Sequence, residues 1–350
     1  MPQGTCGRIE GPVSPRGWCK YYSTQMVSRS QPSSSLVGAG PAGTLDLSFL
    51  SASLDPSITW TRANANATTG TFLDPSGVSF STVLANIPRI SVANGLLVEG
   101  ARTNLLLNSS APVTQTTASL AIGSYALWVN GAGSAMPSAG TAVGAGFAPA
   151  TQGNPSSFTL STAGTVTVTV TGALNRFQLE AGLDASSYVP TAGTTLGRSV
   201  DSGVLPTAAW FNAAEGSLVV DFLLPQIVNV ALDLPSLSTD TNNNYDFRVT
   251  NGALQVFPFV AGSTTAVVNV TGTVAARVVQ RAGFTYAGST RRVAACLSGG
   301  LIGASFASSL PAVSQVKFGV VRVAGFNGFV QRIRYWPRAL NDSELRGYTA

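Results

Sequence analysis

Gly164-Thr165-Val166-Thr167-Val168-Thr169-Val170 alternates threonine with valine without a break. Successive side chains of a strand point to opposite faces. Val166, Val168 and Val170 therefore share one face and Thr165, Thr167 and Thr169 the other, as in a half-buried antiparallel strand. The same signature extends outward. Residues 125–129 and 175–180 read as further strands of this region. Residues 217–224 are apolar on both faces apart from Asp221, which predicts a central sandwich strand. Residues 293–302 read as a hairpin closing at Gly299-Gly300, a dipeptide that accepts positive φ. Residues 316–323 and 329–336 predict two more strands. In the last, Val330, Arg332, Arg334 and Trp336 face one way and Phe329, Gln331, Ile333 and Tyr335 the other. Only the end of the chain differs. Asn341 with Glu344 makes a capping box and Leu340 with Leu345 a hydrophobic staple, so a short helix is expected there.

Composition agrees. Of the 350 residues 45% are hydrophobic, enough for real cores, and 10% are charged, too few for long wet-faced helices. The 37 Gly and 19 Pro punctuate the chain as short strands and tight turns require. No apolar run approaches the roughly 20 residues that span a bilayer, so no membrane insertion is expected. The first 20 residues lack a signal-peptide core, which argues against export by the usual secretory route. The chain has no histidine. A Ser-His-Asp triad and a Cys-His pair are therefore excluded. Cys6, Cys19 and Cys296 lack metal-ligand spacing, and Cys296 reads as a small core residue.

Residues 1–44 form a separate segment, read either as a flexible leader or as an anchor to another protein. Met26 is an alternative start. Residues 45–100 read as a β-rich connecting segment, 101–200 as one module and 206–350 as another. The whole is expected to be all-β: tandem β-sandwiches with a short C-terminal helix.

Longer stretches resemble a known family. Ile58-Thr59-Trp60-Thr61-Arg62-Ala63, Leu73-Asp74-Pro75-Ser76-Gly77-Val78 and Asn86-Ile87-Pro88-Arg89-Ile90 look like the leader of many phage and prophage virion structural proteins, of tail-fibre or head-spike type. Gly95-Leu96-Leu97-Val98-Glu99-Gly100-Ala101-Arg102-Thr103-Asn104 continues it. Phe177-Gln178-Leu179-Glu180-Ala181-Gly182, followed by Ser187-Tyr188-Val189-Pro190-Thr191, resembles the end of their carbohydrate-binding-module-like jelly roll. Asn327-Gly328-Phe329 and Tyr335-Trp336-Pro337-Arg338-Ala339-Leu340-Asn341-Asp342-Ser343-Glu344-Leu345 resemble the close of a concanavalin A-like (laminin G-like) domain. The resemblance spans about 45–350. It implies a jelly-roll-like middle module, a concanavalin A-like end and a place on a virion surface, assembled in the host cytoplasm. It also implies binding of host surface polysaccharide, other virion proteins as partners and a homotrimer. The chain departs from the family at Leu196-Gly197-Arg198-Ser199-Val200-Asp201, where Thr-Arg-Ala-Ala-Asp is usual. Residues 1–44 match nothing in it.

A glycan site needs aromatic faces and groups that bond hydroxyls, and sandwich loops commonly carry them. Asp240, Asn242, Asn243, Asn244, Tyr245 and Asp246 are the best such cluster; the bland alternative is a polar turn. Tyr125, Trp128, Trp210 and Tyr286 are stacking candidates or core. Asp240, Asn242, Asn244 and Asp246 are all oxygen ligands, so Ca²⁺ is the one cofactor to weigh, but the glycine and glutamate of a calcium loop are missing. Glu99 with Arg102 reads as a structural ion pair, with Arg62 and Arg89 in similar roles. Tyr188-Val189-Pro190 reads as an edge that packs one module on the next. Arg277, Arg281, Arg291, Arg292, Lys317, Arg322, Arg332, Arg334, Arg338 and Arg346 give the C-terminal region a basic tilt, answered locally by Asp342 and Glu344. It suits an acidic polysaccharide or a neighbouring subunit. Nucleic acid is not expected, because no aromatic–basic motif accompanies the charge. A capsule depolymerase would need paired carboxylates. Asp221 is the one odd carboxylate, and no enzyme is expected.

Overall fold

The computed structural model describes residues 44–51, 53–62, 72–73, 79–80, 85–227, 230–322 and 326–350. The chain is all-β with a single short helix, Asp342–Thr349, among these residues. The expectations for the leader, Cys6, Cys19 and Met26 lie outside them, as does the turn chemistry of 74–78. The strands that flank that turn, Phe72–Leu73 and Ser79–Phe80, pair with each other.

Two antiparallel sheets form the larger sandwich. One runs in the order Gly303–Phe306, Arg292–Leu297, Gln280–Ala287, Glu215–Leu223, Gly328–Trp336, Gly95–Val98, Arg89–Ser91, with Leu45–Ser48 also on Gly328–Trp336. The other runs Thr59–Thr61, Ser202–Pro206, Gln315–Phe318, Ser236–Ser238, Asn244–Thr250, Ala253–Val260, Ser263–Thr264. Their inner faces share one core, in which Leu218, Val220 and Phe222 of the central strand meet Tyr245, Phe247 and Val316 of the opposite sheet. Glu215–Leu223 is paired along both edges, and its two faces are covered separately: Leu218, Val220 and Phe222 lie in this core, while Val219 packs with Leu340 and Leu345 on the other side.

This architecture corrects the boundary expected at residue 206. The stretch 45–100 is no connector, because it supplies strands to both sheets of the C-terminal sandwich. Leu45 pairs with Tyr335, Leu97 with Phe329 and Trp60 with Gly203. The physical reason is burial: Leu45, Leu47, Ile58, Trp60, Leu96 and Val98 all belong to the sandwich core. The middle module is inserted between these strands and the rest of the sandwich. The chain leaves through Arg102–Asn104 and returns through Leu196–Arg198, and these two strands pair as a neck.

The middle module is one six-stranded antiparallel sheet, ordered Val143–Ala145, Ser156–Thr162, Gly123–Ala139, Val166–Ala181, Gln115–Thr116, with Ala150–Thr151 on Gly123–Ala139. Its two long strands pair along most of their length, with a register slip between Leu174 and Arg176. Gly131 and Gly172, both at positive φ, stand beside the slip and let the strand pair bend. Both halves then contribute to one core, Val166 and Val168 from one end with Leu127, Phe177 and Leu179 from the other.

Three local expectations change. The hairpin after residue 293 closes through residues 298–302, not at a two-residue turn, and Ser298 and Gly299 both take positive φ. In Gly328–Trp336 a slip opposite Asp221/Phe222 turns Val330 into the core with Ile333 and Tyr335. Tyr188 packs edge-on against Trp128 inside the middle module, with its hydroxyl on Ser109, and so does not bridge to the next module. The helix is capped as its sequence predicts: Asn341 accepts from the Glu344 N–H and Glu344 reaches back to the Asn341 N–H.

Candidate functional site

The neck is where the charged residues converge. Arg62 follows one sandwich strand, Arg89 begins another, and Glu99 and Asp201 flank the exit and return of the chain. Arg89 donates to Glu99 Oε2 at 2.5 Å and also to Asp201. Arg198 meets Glu99 Oε2 at 3.0 Å, and Arg62 stands 3.8 Å from Asp201. Ser187, from the middle module, donates its N–H to Glu99 Oε1 at 2.7 Å. All five charged side chains are buried. Burial alone would lift the Glu99 carboxyl, but the Arg198 and Arg89 guanidinia more than reverse this and hold it at about 2. The expected Glu99–Arg102 pair is thus replaced. Glu99 belongs to Arg89 and Arg198, whereas Arg102 bonds Asp184 at 2.6 Å and approaches Glu180 at 3.6 Å. The stretch 196–201 contributes both its charged residues, Arg198 and Asp201, to this cluster.

A second set of bonds locks the middle module onto the sandwich. Asn327 Nδ2 donates to Asp184 Oδ2 at 2.5 Å and to the Ala185 carbonyl at 3.2 Å. The Ala185 N–H donates to Gln226 Oε1 at 2.9 Å, and Arg277 Nη2 donates to the Gly153 carbonyl at 2.7 Å. Between these last two contacts lies a groove of about 370 Å³. Asn154, Ser156 and Ser157 line it from one module, and Gln226, Ile227 and Arg277 from the other. Amides, hydroxyls and a guanidinium around a small apolar floor can bond a polyhydroxylated ligand. Neither module makes this groove alone.

The structure divides the cluster expected from the sequence. Asp240, Asn242 and Asn243 sit in a loop, where Asp240 Oδ1 accepts the Asn242 and Asn243 N–H groups, both at 2.8 Å. Asn244, Tyr245 and Asp246 lie in the strand Asn244–Thr250 and are buried. Tyr245 packs on Phe284 and Tyr286 in the core and has no face to offer a sugar. Alternation in the strand is the reason: once residue 247 faces inward, so does 245. Nor do the four expected calcium ligands converge, since Asp240 serves its own loop and Asp246 pairs with Arg248 at 3.0 Å. Tyr125, Trp128, Trp210 and Tyr286 are all core residues, and so is Cys296. Asp221 is accounted for by Arg334 at 3.0 Å and Arg281 at 3.4 Å.

No family model matches this chain, and no curated protein does. Solved structures resemble part of it. The CBM40 of a Ruminococcus gnavus IT-sialidase, bound to α2,3-sialyllactose, is 17% identical over 40% of this chain and 84% of its own, with a TM-score of 0.35. The NanB sialidase of Streptococcus pneumoniae is 15% identical over 39% of this chain and 24% of its own, with a TM-score of 0.34. The SAP-like pentraxin of Limulus polyphemus is 12% identical over 39% and 70%, with a TM-score of 0.34. Likenesses of this extent carry no argument about ligand or activity. No helix among the described residues is long and apolar enough to cross a membrane.

Sequence reasoning passed over Asn154 and Gln226 and met Arg277 only as part of a diffuse basic tilt. Much of that tilt is neutralised, across strands for Arg332 by Asp46 and for Arg281 and Arg334 by Asp221, and from the terminal helix for Arg292 by Asp342 and Arg338 by Glu344. Asp46 and Asp221 are distant in sequence, which is why the tilt looked unanswered.

Two buried carboxyls set a pH dependence. Burial pushes Glu180 up to about 7 against the pull of Arg102. Burial, then the neighbouring Asp233 carboxylate, pushes Asp246 up to about 7. Each folded value lies above the ordinary one, so the folded state holds more protons between about pH 4 and 7, and stability falls as pH rises through that window. Glu99 acts oppositely, stabilising above about pH 4.5 and losing this as pH falls toward 2. Calorimetry from pH 3 to 8 is expected to show a Tm maximum near pH 4. The loss by pH 8 should amount to at most about 3 kcal/mol for Glu180 and about 4 kcal/mol for Asp246. Glu180→Gln with Asp246→Asn should flatten the alkaline side; a Tm still rising from pH 5 to 8 in the parent would refute the assignment.

Proposed function

We propose that this chain is a non-catalytic glycan-binding protein on the surface of a phage or phage-like particle, and that it binds in the groove between its two modules. One observation carries the reading: the groove's amide, hydroxyl and guanidinium groups come from both modules, and bonds between the modules hold two of them, Gln226 and Arg277. Preformed polar groups around a concave site favour a polyhydroxylated ligand, because little side-chain entropy is lost on binding. The phage-type stretches along 45–350 support the particle location, with other virion proteins as partners and a trimer as the working assembly. No histidine is available for acid–base work. The buried carboxylates Asp233 and Asp246 are closed to a substrate as they stand.

The test is binding of the full chain to a panel of bacterial surface polysaccharides, followed by Gln226→Ala with Asn154→Ala. Saturable binding by the parent, weakened about tenfold or more in the double variant, is expected. A second reading, a decoration or fibre-shaft protein without a glycan ligand, draws on the edge strand Gly303–Phe306, whose Phe306 side chain is 70% exposed. Binding to particle proteins with no polysaccharide retained would favour it.

A further inference from the structure

The groove's charge is the feature the reading above leaves unused. Arg277 is the charged residue among its lining, and no carboxylate lines it. Nor does any carboxylate among the described residues lie within ion-pair distance of Arg277, whereas Arg102 and Arg198, around a second hollow of about 220 Å³, are paired with two carboxylates and one respectively. Arg277 is exposed, yet its backbone is fixed. It takes φ of 60°, with its N–H on the Leu224 carbonyl at 2.8 Å. Its Nη2–H holds the Gly153 carbonyl across the module boundary. A guanidinium has five N–H donors in a planar fork, so most remain for a ligand. Val278 and Val279 follow at 52% and 46% exposure and place apolar surface beside the cation.

Resting on the glycan reading, we infer that the groove selects an anionic saccharide, with Arg277 receiving the oxyanion and Asn154, Ser157 and Gln226 the hydroxyls. A fixed, unneutralised guanidinium between hydroxyl-bonding groups matches a carboxylate or phosphate substituent on a sugar. A neutral sugar would draw nothing from that cation's charge.

The experiment compares dextran, polygalacturonate and poly(glycerol phosphate) as ligands for the full chain, at low and at physiological salt. Binding to at least one anionic polymer, at least about tenfold tighter than to dextran, is expected. The polyuronate and polyphosphate arms tell a carboxylate from a phosphate. Arg277→Gln should erase that preference, and Arg277→Lys should restore part of it. Arg346→Gln, which removes an exposed charge on the terminal helix, should leave it intact. Equal losses in Arg277→Gln and Arg346→Gln would show general charge attraction and overturn the inference. Equal binding of dextran and the acidic polymers would overturn it too, while leaving the glycan reading standing. Retention of no polysaccharide in this set or in the bacterial panel would remove the glycan reading itself, and the inference with it.

Discussion

A chain cut to begin at Pro206 is expected to show no cooperative thermal transition, although it contains every strand of the apparent C-terminal domain. The cut removes Leu45–Ser48, Arg89–Ser91 and Gly95–Val98 from one sheet. It removes Thr59–Thr61 and nearly all of Ser202–Pro206 from the other. Leu45, Leu47, Phe49, Ile58, Trp60, Leu96, Val98 and Leu205 leave the core with them. At about 1.5–3 kcal/mol for each buried side chain, the loss of about 12–24 kcal/mol matches or exceeds the roughly 5–15 kcal/mol by which whole domains are stable. The severed sheets would also expose Gly328–Trp336 as a long unpaired apolar edge, a template for aggregation. A cooperative, monomeric melt of the 206–350 fragment would show that the N-terminal strands are accessory. A more conservative deletion removes residues 105–190 and rejoins the neck; this is expected to leave the sandwich folded.

The second large effect concerns Arg89. Replacing it with Met is expected to lower stability by about 3–5 kcal/mol, read as the shift in urea midpoint at constant slope. The cost arises because Glu99 and Asp201, both buried, lose the guanidinium that stands between them. Arg89→Lys should recover only part of this. Arg89 reaches the two carboxylates through two different nitrogens, and a single ammonium cannot reproduce that fork. The loss should also be non-additive with Arg198→Met, since both cations serve Glu99. A stability within about 0.5 kcal/mol of the parent would mean that the cluster is already neutral or hydrated.

Much of the strand content was legible. The Thr-Val alternation around 166–170, the doubly apolar 217–224 and the Asn341 cap each carry their meaning within a few residues. Their counterparts in space do not. Leu45-Asp46-Leu47 looks like the start of a linker because its partners, Ile333 to Tyr335, lie at the far end of the chain. Arg62, Arg89, Glu99, Arg198 and Asp201 are spread over 140 positions, and no local pattern pairs them. The expected polar cluster at 240–246 failed for a related reason. Composition sees six candidate residues within seven positions, whereas the strand that begins at Asn244 buries three of them. The groove is the least legible part, since it exists only where two separately coded modules meet.

The insertion also sets an order in time. Asp46 and Arg332 stand on paired strands 286 positions apart. At a synthesis rate of about 5–20 residues per second, the first sandwich strands wait roughly 15–60 s for the partner that covers them. The middle module has all its strands between residues 115 and 181 and can close long before that. It therefore emerges from the ribosome as a finished body flanked by uncovered strands, and the neck keeps the ends of those strands together until the last of the chain arrives.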